Sequence, residues 1–205
     1  KSYRLLRAAL ADAARDGLIP RNPCDIPGAG VEHTEERPLL ELDQLGALVD
    51  AAPEHRRAML LLAMWGGLRF GELAGLCRAD IDLLRRTVTI SVTLAEGDQT
   101  MALKAPKTAA GRRTIALPSP TLAALDDHLA RFVGPEPDAT VFRGPKGGML
   151  RRRNWTREWR AIRERAGVPA GVVLHDLRHA AGTMAAQAGA TERELQARLG
   201  HASNA

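Results

Sequence analysis

Apolar residues at Tyr3, Leu6, Leu10 and Ala13 recur at helical spacing through SYRLLRAALADAARDG, and Gly17 supplies a stop, so the chain opens on a predicted helix. The pattern then fails. IPRNPCDIPGAGVEHTEERP carries Pro20, Pro23, Pro27 and Pro38 with Gly28 and Gly30, which sustains neither a helix nor a central strand and reads as a linker. Periodicity resumes at Leu39, with Leu42, Leu45, Leu48 and Val49 predicted on one helix face and Pro53 closing it. HRRAMLLLAMWGG predicts a buried helix, and RFGELAGLC continues helical beyond the Gly66-Gly67 break. RTVTISVTLAE, MALKAPKT and RRTIALP are β-branched or alternating runs, separated by Gly97-Asp98 and by Ala109-Ala110-Gly111. They predict three antiparallel strands. Ser119 as N-cap with Pro120 at the first helical position opens a helix to about Phe132, and NWTREWRAIRERAG gives another. Thr191 and Glu194 form a capping box for a last helix to about Leu199. The expected class is α+β, mainly helical, with a small three-stranded antiparallel sheet.

Composition narrows the function. At 205 residues and 45% apolar, the chain has material for one large domain, or for one domain plus a fragment. Twenty-nine Lys and Arg against 24 Asp and Glu leave +5, a balance suited to a polyanionic partner such as nucleic acid. Only Lys1, Lys104, Lys107 and Lys146 are lysines, so each stands out in an arginine-preferring chain. Cys24 and Cys77 are too few for a disulfide framework or a cysteine zinc site, and read as reduced thiols. No apolar run reaches the ~18 residues of a membrane span, and no apolar signal core opens the chain. A soluble cytoplasmic protein is the expectation.

HDLRHAAGT, from His175 to Thr183, is open to three readings. Histidines four apart on a helix can share zinc, but Asp176 is a short substitute for the glutamate such a site uses as a base, and Arg178 would repel the cation. A phosphate suits the residues better: His175 and Asp176 fall where a helix starts, beside unpaired N–H groups and the positive end of the dipole. His175 and Arg178, three apart, then share a face and reach one anion. His179, one position off, is expected to pack.

Other basic positions carry paired readings. Arg69 follows the Gly66-Gly67 break, and Glu72 either holds its guanidinium from behind or forms an ordinary surface pair with it. Lys107 with Arg112-Arg113 is either a solvated hairpin edge or a site of proton delivery, since a lysine gives up a proton more readily than an arginine. LRRRNWTREWRAIRER places Trp155 and Trp159 in the core, and its seven arginines form either a DNA-backbone face or a solvated one.

Arg69 in GLRFGEL, Lys107 in the hairpin, HDLRH with His175 and Arg178, and LGHAS with His201 stand in the order and contexts of the tyrosine recombinases. Over residues 39–205 the chain resembles the catalytic domain of a phage-type integrase of that family. The resemblance implies that residues 1–19 are the last helix of a truncated core-binding domain, 20–38 an interdomain linker, and 39–205 a catalytic domain cut short before its nucleophilic tyrosine. In the family a tyrosine hydroxyl attacks a DNA phosphodiester, giving a 3′-phosphotyrosyl enzyme and a free 5′-hydroxyl without cofactor or metal. By match of motif, Arg69 and Arg178 clamp the nonbridging oxygens and His201 donates another hydrogen bond. His175 assists proton transfer at the nucleophile, and Lys107 protonates the departing 5′-oxygen. The tyrosine is expected about two to three helical turns beyond His201. The single tyrosine, Tyr3, is in the wrong domain. The implied partners are double-stranded attachment sites, with a homotetramer on DNA and a monomeric, inactive fragment in isolation. The alternatives are a type IB topoisomerase-like enzyme and a non-catalytic DNA-binding protein derived from a recombinase.

Overall fold

Helix α1 (Ser2–Arg15) half-buries Tyr3, Leu10 and Ala13 of its predicted stripe, leaves Leu6 exposed, and ends ahead of Gly17, which adopts φ 74°. The computed structural model describes residues 2–29, 40–97, 100–106 and 111–200. The chain divides into two units, Lys1–Glu36 and Arg37–Ala205. In the first, the proline-rich segment folds back on α1. Tyr3 Oη donates to the Cys24 carbonyl, Asn22 Nδ2 donates to the Arg7 carbonyl at 3.0 Å, and Arg7 pairs with Asp25 at 2.6 Å. None of the residues of α1 is buried.

In the second unit, α2 (Leu42–Ala51) buries Leu45 and Leu48, while Leu42, expected on the same face, is exposed at the first helical position before the helix turns onto the core. Helix α3 (Glu54–Gly66) is the central element, because its apolar residues run around most of its circumference and find cover on several sides. It packs against α2, α5 (Ser119–Phe132) and α7 (Leu174–Gln187). Helix α5 starts one residue earlier than its sequence signal: Pro118 is the N-cap and Ser119 already helical, which moves Pro120 to the second position, where a missing N–H still costs no hydrogen bond. Helix α6 (Arg152–Arg165) buries Trp155, Trp159 and Ile162, and Trp159 donates its indole N–H to the Val172 carbonyl at 3.0 Å. Helix α8 (Glu192–Leu199) begins on the expected Thr191–Glu194 box.

The strand segment differs from its expectation in membership. Strands β1 (Ile81–Asp82), β2 (Thr87–Ile90) and β5 (Arg113–Ala116) form an antiparallel three-stranded sheet in the order β1-β2-β5. Strands β3 (Thr93–Glu96) and β4 (Met101–Lys104) pair separately as a hairpin. RTVTISVTLAE, one run in sequence, breaks at Ser91-Val92, where Ser91 Oγ donates to Asp80 at 2.7 Å. Helix α4 (Phe70–Gly75) supplies the reason. A Cβ at Gly71 would lie 2.9 Å from the Leu94 carbonyl oxygen, and one at Gly75 would lie 2.9 Å from the Leu94 nitrogen. Two glycines one turn apart let the β3 backbone lie on α4, which draws the hairpin out of the sheet.

Candidate active site

The chain leaves α3 through Gly67, whose φ of 64° turns it back at once, so that Arg69 becomes the N-cap of α4. Glu72, one turn on, closes this end: its Oε2 accepts the Arg69 N–H at 2.8 Å and its Oε1 accepts Arg69 Nη1 at 3.0 Å. Glu72 is 5% exposed. Such a carboxylate requires full compensation, and a second arginine provides it. Arg113, on β5, donates Nη1 to Oε1 at 3.0 Å and Nη2 to Oε2 at 2.9 Å. Burial alone would raise the Glu72 pKa, but the hydrogen bonds and charges of Arg113 and Arg69 together hold it below the usual carboxylate range.

Helix α7 brings the HDLRH residues to the same place. Asp176 accepts the Val173 N–H at 2.7 Å and so caps the helix start. Leu174, Leu177, Arg178 and Ala181 face inward, whereas His175 and His179, one turn apart, are exposed with rings edge-on at 4.9 Å. This revises two expectations. His179 does not pack into the core, and Arg178 shares the buried stripe rather than the face of His175, because helical spacing from Leu174 puts positions 177, 178 and 181 on one side. Arg178 donates Nη1 to the Gly67 carbonyl and Nη2 to the Leu199 carbonyl, joining the ends of α3 and α8.

Arg69, Arg178 and His175 act on one another's protonation. Burial first, then the Arg69 charge, pulls the Arg178 pKa down to about 10, which leaves it fully charged at neutral pH; Glu72 opposes the shift and Arg113 adds to it. His175 is lowered by burial, then by His179 and Arg178, with Arg69 contributing and Asp176 opposing. The shift favours the neutral imidazole, the form able to accept a proton. Arg69, with a side chain 41% exposed, and His175 both line a cavity of about 530 Å³ whose walls include Phe70, Thr93, Arg152 and Trp155. The Arg152 guanidinium sits 4.6 Å from the Phe70 ring centroid. Arg69, Arg152 and the His175 imidazole share one open surface, an arrangement suited to an anion that gathers charge.

Of the five residues singled out in the sequence, Arg69, His175 and Arg178 are brought together; Lys107 and His201 lie outside the described residues. The last described turn before His201 is held from two sides, by Arg178 at Leu199 and by Arg113 Nε on the Arg198 carbonyl at 2.8 Å. Arg113 is a site residue that the sequence reading misses: neither a solvated hairpin edge nor proton delivery from Lys107 gives it a role of its own, yet its side chain is 6% exposed. The signal was present in RTIAL, where alternation puts Arg113 on the face of Ile115 and Leu117, both buried. Among the described residues no group of three or more His, Cys, Asp or Glu side chains is arranged to hold a metal ion, and no helix is long and apolar enough to cross a membrane.

Residues 38–205 match the model of the phage integrase family. A putative prophage phiRv2 integrase of Mycobacterium tuberculosis is 36% identical over 205 residues, covering 98% of this chain and 54% of that protein. The integrase of Mycobacterium phage D29 is 30% identical over 204 residues, with 98% and 54% covered. The chain thus spans about half the length of the curated relatives it matches. Among solved structures, the Tn1549 transposon integrase in complex with a circular intermediate DNA superposes with a TM-score of 0.85 at 22% identity, covering 98% of this chain and 70% of that one.

Proposed function

The chain belongs to the phage integrase family, the tyrosine recombinases, and on that footing we propose that it forms most of the phosphate-binding half of a site-specific DNA recombinase active site. The observation that carries the reading is that Arg69 and His175 line one cavity while buried Glu72 and Arg178 stand behind Arg69. In the proposed reaction a tyrosine oxygen attacks the scissile phosphorus, the P–O5′ bond breaks, and a 3′-phosphotyrosyl link and a free 5′-hydroxyl result. The phosphodiester energy is kept in the new link. Arg69 and Arg178 hold the nonbridging oxygens, with His201 as a further donor. His175 accepts the tyrosine proton, and Lys107 supplies one to the leaving oxygen. Charge accumulates on those oxygens in the transition state, so fixed cations bind it more tightly there than in the ground state.

The nucleophile is a tyrosine outside these 205 residues. Tyr3 is the single tyrosine in the sequence, and its hydroxyl is committed, donating to the Cys24 carbonyl and accepting the Ile26 N–H at 3.3 Å. We take the partner to be duplex attachment-site DNA, engaged by a tetramer of the full-length protein, with the isolated chain monomeric. The test is covalent trapping on a nicked attachment-site duplex. A full-length protein bearing the tyrosine should form a protein–DNA adduct and residues 1–205 should form none. An adduct from the shorter chain, or none from a folded, DNA-binding full-length protein, overturns the reading.

A further inference from the structure

Glu72 has an unusual set of partners. Each of its oxygens accepts one hydrogen bond from Arg69 and one from Arg113, at 2.8 to 3.0 Å. Arg69 keeps an exposed side chain, while Arg113 turns its donors inward: two to Glu72 and Nε to the Arg198 carbonyl at 2.8 Å, with Nη1 also meeting the Gly111 carbonyl at 3.2 Å. Its side chain is 6% exposed and all three of its nitrogens are turned to protein acceptors. Its backbone is fixed in the β2–β5 ladder opposite Ile90. A rigid strand thus delivers one planar fork to a carboxylate on α4 and to the last turn of α8. Lysine, with a single point of charge, cannot make the three directions at once.

We propose that Arg113 is a positioning residue of this site, which fixes Glu72 behind Arg69 and ties the end of α8 to the same point. The inference rests on the recombinase reading above. Its physical content is twofold. Arg113 neutralises the buried carboxylate, so that the Arg69 charge is left for an anion in front rather than spent on Glu72 behind. It also locks the distance between the Arg69 guanidinium and the turn that leads to His201. Without it, Glu72 and Arg69 close into a neutral ion pair, and the end of α8 loses the anchor that Arg113 supplies. Misplacing a clamp by about 1 Å is enough to slow a reaction about 100-fold.

The experiment measures single-turnover adduct formation on a nicked attachment-site duplex, using the full-length protein at saturating concentration. Arg113→Lys should slow adduct formation about 10- to 100-fold, with DNA affinity within about twofold and cooperative unfolding retained. In an Arg69→Ala background the same substitution should cost clearly less than it does in the wild type, because the part of its effect that passes through Arg69 is already lost. A wild-type rate in folded Arg113→Lys, or a loss that multiplies with that of Arg69→Ala, overturns the proposal. Should Arg113→Lys fail to fold, the pair Arg113→Met with Glu72→Gln removes both charges together and undergoes the same comparison; loss of fold there too assigns Arg113 to the scaffold and also overturns it. No adduct from the wild type, or equal rates for wild type and Arg69→Ala, defeats the recombinase reading and this inference with it. Wild-type adduct with an unaffected Arg113→Lys defeats this inference alone.

Discussion

Two buried arginine–glutamate arrangements lie in the same unit and differ in stoichiometry. At α3 and α6, Arg56 meets Glu158 almost alone: Nε to Oε2 at 2.6 Å, Nη2 to Oε1 at 3.3 Å, and the Arg143 carbonyl taking a further bond at 2.9 Å. Arg56 is 1% exposed and its charge is matched one to one. At α4, a single buried carboxylate, Glu72, faces both Arg69 and Arg113. A matched pair holds elements together; an excess of guanidinium around one carboxylate leaves positive potential for a ligand. Net charge over the surface does not separate these two places, whereas counting donors against acceptors at each does.

The sharpest way to break this comparison is to remove one arginine from each place. In the full-length protein, Arg178→Ala should lower adduct formation by at least about 100- to 1,000-fold, roughly 3 to 4 kcal/mol, while gel-shift affinity changes little because many basic groups share the DNA backbone. Arg56→Met should do the opposite: the rate per folded molecule stays, and denaturant unfolding loses about 3 kcal/mol as Glu158 is left without its partner. Equal rate effects from the two would erase the distinction drawn above.

Acid sharpens it further, because each arrangement has a histidine with a lowered pKa. His175 must be neutral to accept a proton, so the adduct rate should hold down to its own pKa, below about 6.5, and then fall about tenfold per pH unit. His128 is lowered by burial, with the Val141 hydrogen bond opposing and Arg56 adding to the shift, and its Nδ1 has no partner among the described residues. Its folded pKa lies below the unfolded one, so the unfolded chain takes the proton first. Stability should therefore drop as pH falls from about 6.5 through the folded value. Thermal melts across this window should flatten in His128→Gln while the pH–rate profile keeps its shape. The smallest effect belongs to the exposed face of α6. Arg157→Ala should weaken DNA binding a few-fold and reduce the salt slope by about 0.9 if it meets one phosphate.

Helices were legible where one face alone is apolar, as in α6 with Trp155 and Trp159, or where a cap is written locally, as at Thr191 and Glu194. A small antiparallel three-stranded sheet was legible too, but its membership was not, because RTVTISVTLAE carries the same alternation on both sides of Ser91 and the break is imposed from α4, through Gly71 and Gly75. At the site, Arg69 with Glu72 could be read from spacing, and the grouping of distant boxes came through resemblance. Arg113 was missed and His179 misread for one reason: each was judged by residue type, basic or lone histidine, when its place in the strand or helix period decided which way it faced. What no local pattern carries is the third dimension, in which one carboxylate collects arginines from positions 69 and 113.

Gly66 and Gly67 are identical letters with different degrees of replaceability. Gly66 is helical, and a methyl there would meet the tip of Leu68, Cδ1 at 2.6 Å, which a rotamer change can move aside. Gly67 is left-handed at φ 64°, its carbonyl receives Arg178, and a methyl would come 2.7 Å from Leu199 Cδ2. In a library randomised over both positions and selected for recombination, the first should drift to alanine and serine, and the second should return glycine almost without exception. The tolerance of two neighbouring codons would then report, without any structure, where the chain turns to meet the buried arginine.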